Sequence, residues 1–272
     1  MKLIHLTDIH ITLEGEMIQG RDPYAHFAQA IAHINNHHAD ADLAVITGDL
    51  TNWGEPEAYQ RLQELLETLT VPERLLIGNH DDRANFRQIF KTVPHDDNGY
   101  IQYAEDTGIG RFLYLDTVES GTHAGHYGPE RIAWLTSELE RAKGRPIYIF
   151  MHHPPMRVHN RPLDMIGLTD EALFREAIEG HRDHIRHIFF GHCHLPLAGS
   201  YLGIPFSSLR GTNHQSWVDF DEPELLTSAE LPPAYGVVII HQDSVVCHSI
   251  DFTYDGDINT ATTRYDDWKK IA

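Results

Sequence analysis

Apolar runs of a few residues recur along the chain, and most stop at a glycine or at a cluster of acidic and imidazole side chains. Residues 2–7, 42–47, 74–77, 147–151 and 185–190 are such runs, and they predict buried strands. Between them the apolar spacing turns helical. Phe27, Ala30, Ile31 and Ile34 mark a helix over 23–38, with Asp22 and Pro23 placed as cap and first turn. Leu62, Leu65, Leu66 and Leu69 share one face of a second helix, which Val71-Pro72 ends. A short helix is expected over 83–90, a longer one from Pro129 with Ile132, Leu135 and Leu139 inward, and another over 169–179. Residues 100–104 and 111–116 read as neighbouring strands, and 201–209, 236–241 and 245–250 make the C-terminal part strand-rich. Alternating strands and helices imply a layered α/β fold. No internal repeat, low-complexity tract or interdomain linker appears, so residues 1–272 are expected to form one domain. The acidic, proline-containing excursion at 217–233 is expected to be a lid or oligomer contact, within a segment at about 215–235.

The strand ends carry the chemistry. Asp8-Ile9-His10, Gly48-Asp49, Gly78-Asn79-His80-Asp81, His152-His153-Pro154 and Gly191-His192-Cys193-His194 each follow an apolar run. In an open α/β sheet the loops at the carboxyl ends of the strands gather in one crevice. That crevice would hold two carboxylates, an amide and several imidazoles, a donor set suited to Mn, Fe, Co or Zn. Asp8, His10, Asp49, Asn79, His152, His192 and His194 are too many ligands for one tetrahedral ion. A bridging Asp49 divides them, with Asp8, His10 and His194 on one ion and Asn79, His152 and His192 on the other. Two ions about 3.5–4 Å apart can clamp the attacking and leaving oxygens of an in-line displacement at phosphorus.

Charge sharpens this reading. Forty acidic against 21 basic residues give a net charge of -19, which argues against nucleic-acid polymers and anionic membranes as partners. An anionic substrate then needs a local positive centre, which two dications against two carboxylates would provide. The 41% apolar content over 272 residues allows a sizeable core, and no run approaches a membrane span. An acid at Asp8 arrives too early for a signal peptide, and two cysteines, Cys193 and Cys247, make no disulfide framework, so a cytoplasmic setting is expected.

Taken in order, Asp-x-His, Gly-Asp, Gly-Asn-His-Asp, His-x-Pro and Gly-His-x-His resemble the calcineurin-like metallophosphoesterase superfamily over residues 8–194. The stretch from Gly48-Asp49-Leu50-Thr51-Asn52-Trp53-Gly54 to Tyr59, and Met151-His152-His153-Pro154-Pro155, are similar to its class III cyclic-nucleotide phosphodiesterase branch, especially the bacterial glycerophosphodiesterases. Gly211-Thr212-Asn213-His214-Gln215 extends the likeness to about residue 250. The resemblance implies a four-layer α/β/β/α sandwich with two metals at the sheet edge. It implies that His80 approaches the substrate phosphate or protonates the leaving oxygen, that Asp81 orients His80, and that His153 stands behind the ligand His152. It also implies substrate contacts at Asn52, His123 and His214, and a homo-oligomer, a dimer or an assembly of dimers, with a C-terminal contact.

Each motif alone has an ordinary explanation as a turn, cap or strand exit. All five together, in this order, do not. Cys193 lacks the arginine that a cysteine phosphatase needs six residues on, where Gly199 stands. Neither a Gly-x-Ser-x-Gly elbow nor a P-loop is present. The expected activity is hydrolysis of small soluble phosphodiesters, cyclic nucleotides or glycerophosphodiesters, by in-line attack of a metal-held hydroxide. The alternatives are a phosphomonoesterase or nucleotidase on the same site, and an inert scaffold of the same fold.

Overall fold

A computed structural model describes residues 1–221 and 224–258. The first half holds β1 (Lys2–Leu6), α1 (Pro23–His37), β2 (Leu43–Thr47), α2 (Pro56–Leu66), β3 (Glu73–Leu76) and α3 (Arg83–Ile89). A hairpin follows, β4 (Tyr103–Thr107) and β5 (Gly110–Tyr114), then α4 (Pro129–Arg141), β6 (Ile147–Phe150), α5 (Arg161–Met165), α6 (Glu171–Glu179) and β7 (Ile185–Phe189). The remainder is β8 (Leu197–Tyr201), β9 (Ile204–Ser208), β10 (Gln215–Trp217), β11 (Thr227–Ala229), β12 (Tyr235–Ile240) and β13 (Val245–Ile250).

Two sheets result, one ordered β13-β12-β1-β2-β3 and the other β4-β5-β6-β7-β9-β8. Strand alternation explains why they stack. In β1, Ile4 and Leu6 pack with Phe27 and Ile31 of α1 and Leu62 of α2, while Leu3 packs toward the other sheet. In β6, Ile147 and Ile149 join Leu135 of α4 and Phe174 of α6, while Tyr148 and Phe150 face inward. Each sheet is therefore apolar on both faces, and the layers run α/β/β/α. The helices start where their caps dictate: the Asp22 carboxylate accepts from Tyr24 N and Ala25 N, and Pro23 opens α1.

Between the sheets runs a ladder of rings in register. Tyr103 pairs with Tyr114, Tyr114 with Phe150 and Phe150 with Phe189 across four successive strands. Their centroids lie 4.5, 5.3 and 4.9 Å apart, all stacked. Phe150 and Phe189 sit just ahead of the loops that carry His152 and His192, so the ladder fixes where those loops begin.

Three elements depart from the sequence reading. The run at 201–209 is not one strand but the turn and second arm of a hairpin, β8–β9, reversing at Leu202 (φ 55) and Gly203 (φ 84). Residues 100–102 lie in a loop rather than a ladder, because carboxylates take two of their amides: Tyr100 N bonds Asp96 at 2.9 Å and Ile101 N bonds Asp116 at 2.8 Å. The excursion carries its own small hairpin, β10–β11, and the short α5 is capped by the Asn160 side chain on Leu163 N. Residues 222 and 223 of the excursion, and 259–272, lie outside the described residues. Among the described residues no helix is long and apolar enough to cross a membrane.

Candidate metal centre

The loops that leave β1, β2, β3, β6 and β7 meet at one edge of the two sheets. Backbone bonds lace them together: Asp8 N donates to Gly48 O at 3.1 Å, His10 N to Asp49 O at 2.9 Å and Gly191 N to His152 O at 3.1 Å. The carboxylates tie the loops further, since His192 N donates to Asp8 Oδ1 at 3.0 Å and His80 N to Asp49 Oδ1 at 2.9 Å. Nine non-glycine residues among those described have positive φ, and five of them are Asp8, His10, Asp49, His192 and His194. A left-handed residue costs on the order of 1–3 kcal/mol and persists where its surroundings hold it. Here the strain re-aims each side chain as its strand ends. Gly78 is required by close approach, since a Cβ there would lie 2.7 Å from His152 Cε1 and collide with Asp49 Oδ1.

All seven residues read as ligands converge, in two clusters. On one side Asp8, His10, Asp49 and His194 bring ligand atoms within 4.8 Å of one another. His10 Nε2 is 3.1 Å from His194 Nε2, and His194 Nε2 is 3.6 Å from Asp8 Oδ1. On the other side Asn79 Oδ1 is 3.1 Å from His152 Nε2 and 2.8 Å from His192 Nδ1. Asp49 stands between them: Oδ2 is 3.5 Å from His10 Nε2 and Oδ1 is 3.3 Å from His152 Nε2.

The tautomers follow from the outer hydrogen bonds. His152 Nδ1 lies 2.8 Å from Thr47 O and His194 Nδ1 2.8 Å from His214 O. A carbonyl only accepts, so both Nδ1 atoms carry hydrogen and both Nε2 lone pairs point inward. Four of the six charged or imidazole members are 2% exposed or less. His10 Nδ1 and His192 Nε2 have no hydrogen-bond partner. Those are the nitrogens opposite the ones that face the clusters, His10 Nε2 and His192 Nδ1. The inward imidazole nitrogens, the Asn79 oxygen and the buried carboxylates together form a donor set that fits divalent metal ions.

With its protein neighbours alone the site compensates by protonation. Burial works against charge on His152, but the Asp49 carboxylate and its hydrogen bond outweigh it and push the ring up to about 9. Burial would raise Asp49, yet His152 and His10 hold it well below the usual carboxylate range. Asp8 is raised by burial, against the pull of His194 and His152. Burial keeps His10 and His192 neutral, as ligands must be.

The centre opens into a cavity of about 490 Å³. His80, His123 and His214 line it, with Asp49, Asn79, His10, His192 and His194 at its floor. The His80 ring packs 4.8 Å from His10 and 5.0 Å from His123, and His123 Nδ1 lies 2.9 Å from Asn79 Nδ2. Two details correct the sequence reading. Asp81 does not orient His80: its carboxylate, raised to about 6 by burial and by Asp49, accepts from Gly78 N, Leu50 N, Thr51 N and the Tyr59 hydroxyl. It therefore clamps the Asp49 loop to the Asn79 loop. The His80 ring is held instead by the Asn52 carbonyl, 2.8 Å from Nδ1, and Asn52 itself is not among the cavity's lining residues. His153 lies beside His152 and His192, with Nδ1 on Thr117 Oγ1 at 2.7 Å and Nε2 on His123 O at 3.1 Å. Sequence reasoning did not single out Trp53, Ile166 or Leu226 as cavity residues. An indole between Asn52 and Gly54, in a loop with no core to fill, was the one available signal.

A model of the calcineurin-like phosphoesterase family matches residues 1–196. Over 259 residues the chain is 36% identical to a Rhodopseudomonas palustris protein named "Probable cyclic nucleotide phosphodiesterase", covering 94% of each chain. It is 28% identical over 275 residues to the glycerophosphodiester phosphodiesterase GpdQ of Enterobacter lignolyticus, covering 96% of this chain and 98% of that protein. Among solved structures, a dimetal phosphatase from Danio rerio shares the fold with a TM-score of 0.69 at 14% identity, over 93% of this chain and 96% of that one. From its strand-end motifs, its two-sheet architecture and these matches, the chain belongs to the calcineurin-like phosphoesterase family.

Proposed function

We propose that this protein hydrolyses small phosphodiesters on a pair of divalent ions, with Asp8, His10 and His194 on one, Asn79, His152 and His192 on the other, and Asp49 shared. The observation that carries the reading is the split of the Asp49 carboxylate, one oxygen toward each cluster. Relatives named as cyclic nucleotide and glycerophosphodiester phosphodiesterases support the diester class. When bound, such a pair neutralises phosphoryl oxygens and lowers the pKa of water toward neutrality.

The chain's own groups supply the rest. His80 gives its Nδ1–H to the Asn52 carbonyl, so a protonated His80 has Nε2–H free to pass to the leaving oxygen. His123 accepts from Asn79 at Nδ1, which puts its own proton on Nε2 as a donor for a nonbridging oxygen. Among the described residues lining the cavity there is no lysine or arginine. A phosphomonoester carries an extra negative charge with nothing further to meet it, which favours diesters over the nucleotidase alternative. Retention of the full donor set speaks against an inert scaffold.

Rates on bis- and mono-nitrophenyl phosphate, each with Mn, Fe, Co and Zn, test the reading. Faster turnover of the diester is expected with at least one metal; a preference for the monoester with all four would contradict it.

In the same reading the chain is one domain over residues 1–272, and the segment at about 215–235 is a lid or an oligomer contact. Gln215, Ser216 and Thr227 lining the cavity support the lid. Trp217, Phe220 and Leu225, exposed by 51%, 80% and 57%, support a contact in a homo-oligomer. Free thiols at Cys193 and Cys247 suit a reducing cytoplasm.

A further inference from the structure

The cavity is chemically lopsided. Its floor is imidazole and carboxylate, whereas its remaining lining combines an uncharged apolar set, Trp53, Pro162, Leu163, Ile166 and Leu226, with neutral polar side chains such as Gln215 and Ser228. Trp53 is 65% exposed and Leu226 61% exposed, although both belong to the same concave site. The exposure of Trp53 does not come from a loose loop. Gly54 N donates to Thr51 Oγ1 at 3.0 Å, Gly54 O accepts from Asn85 Nδ2 at 2.9 Å, and Thr51 is itself bonded to Asp81. A left-handed Gly54 (φ +73) presses this turn against Asp82, where a Cβ would meet Asp82 N at 2.6 Å. The turn is thus a rigid mount, and it presents the indole beside the reacting centre, 5.5 Å from the His80 ring at 47°.

Resting on the phosphodiesterase reading above, we propose that Trp53 is a specificity-determining residue, a stacking shelf that selects diesters carrying a flat aromatic ring, a nucleobase above all. The ring partner of an exposed indole is sequence-tolerant and planar, because every base has a π-face. An amine headgroup would find no carboxylate outside the floor of the cavity, and the neutral polar side chains such as Gln215 and Ser228 serve a polyol or a base edge alike, so the exposed indole is the feature that separates ringed from ringless diesters. A substrate whose non-phosphate half is flat and uncharged matches what this lining offers.

The test compares wild-type protein with Trp53→Ala and Trp53→Phe, all reconstituted with Mn, on 3′,5′-cyclic AMP and on glycerophosphoethanolamine. Trp53→Ala should raise KM for the cyclic nucleotide on the order of tenfold with kcat nearly unchanged, Trp53→Phe should retain most of the affinity, and the ringless diester should be unaffected. Binding of uncharged adenosine to the Mn-reconstituted protein, followed by calorimetry, should be weakened in parallel by Trp53→Ala. Equal losses on ringed and ringless diesters, or a fall in kcat alone, would overturn the shelf while leaving diester hydrolysis intact. Wild-type protein that bound adenosine through Trp53 yet hydrolysed neither diester would instead overturn the hydrolytic reading and keep the shelf.

Discussion

Asp49 sends one oxygen toward His10 and the other toward His152, so a single substitution there should unmake both halves of the centre. Asp49→Ala is expected to lose bound metal and at least on the order of 10²–10³-fold in kcat/KM, checked by elemental analysis beside kinetics. His80→Ala separates chemistry from ligation, because its side chain contacts the Asn52 carbonyl and neighbouring rings without joining either donor cluster. Metal content should stay at the wild-type level while kcat falls about 10²–10⁴-fold; full activity would remove His80 from the proton transfer. At this scale the convergence of the seven side chains was legible in the sequence, since each follows an apolar run in a fixed order. The role of Asp81 was not. Which neighbour a carboxylate grips depends on how two distant loops are laced, and nothing in Gly-Asn-His-Asp says that Leu50 and Tyr59 stand closer to it than the adjacent ring.

Elements place those residues through two devices, a carboxylate clamp and an aromatic ladder. Asp81→Ala would leave Gly78 N, Leu50 N and Thr51 N without their acceptor. Such a loss costs about 1–3 kcal/mol for each buried group left unpaired, so a lowered unfolding midpoint in urea together with weaker metal retention is expected. Phe150→Ala would cut the ladder between Tyr114 and Phe189, and a ring deletion of this kind costs about 3–5 kcal/mol. The strands of the ladder could be read from apolar runs, because their period and length are local properties. The β8–β9 hairpin could not, because Leu202-Gly203 is a weak turn signal and the first arm, Leu197–Tyr201, is mostly exposed and carries little apolar pattern. The start of β4 was misplaced for a different reason: Asp96 and Asp116 capture backbone amides that the apolar pattern assigned to a ladder.

On the scale of the whole molecule, the two sheets enclose ionisable groups that the metal centre does not use. His5 of β1 is lowered to about 3 by burial and by His187, and His187 of β7 to about 4 by burial. They bond Thr47 Oγ1 at 3.0 Å and Ser207 Oγ at 2.9 Å, and both pack on the Phe189 ring. Both rings are neutral when folded and titrate near 6.5 when unfolded, so the unfolded chain binds more protons as pH drops. Their contribution is therefore fully present above about pH 6.5 and is lost progressively as pH falls toward 4. Urea unfolding of chelator-treated protein should lose on the order of a few kcal/mol between pH 7 and 5, and His187→Gln should flatten that slope. An unchanged slope would mean that these rings are not what the acid limb titrates.

The net charge of -19 makes the central demand on the molecule, a local positive centre that the side chains lining the cavity lack. Anomalous scattering from crystals of the Mn-reconstituted protein tests this most directly. Two peaks about 3.5–4 Å apart are expected, one against His10 and His194, the other against Asn79 and His192, with Asp49 touching both. A single peak in a fully active crystal, or two peaks that do not share Asp49, would contradict the account.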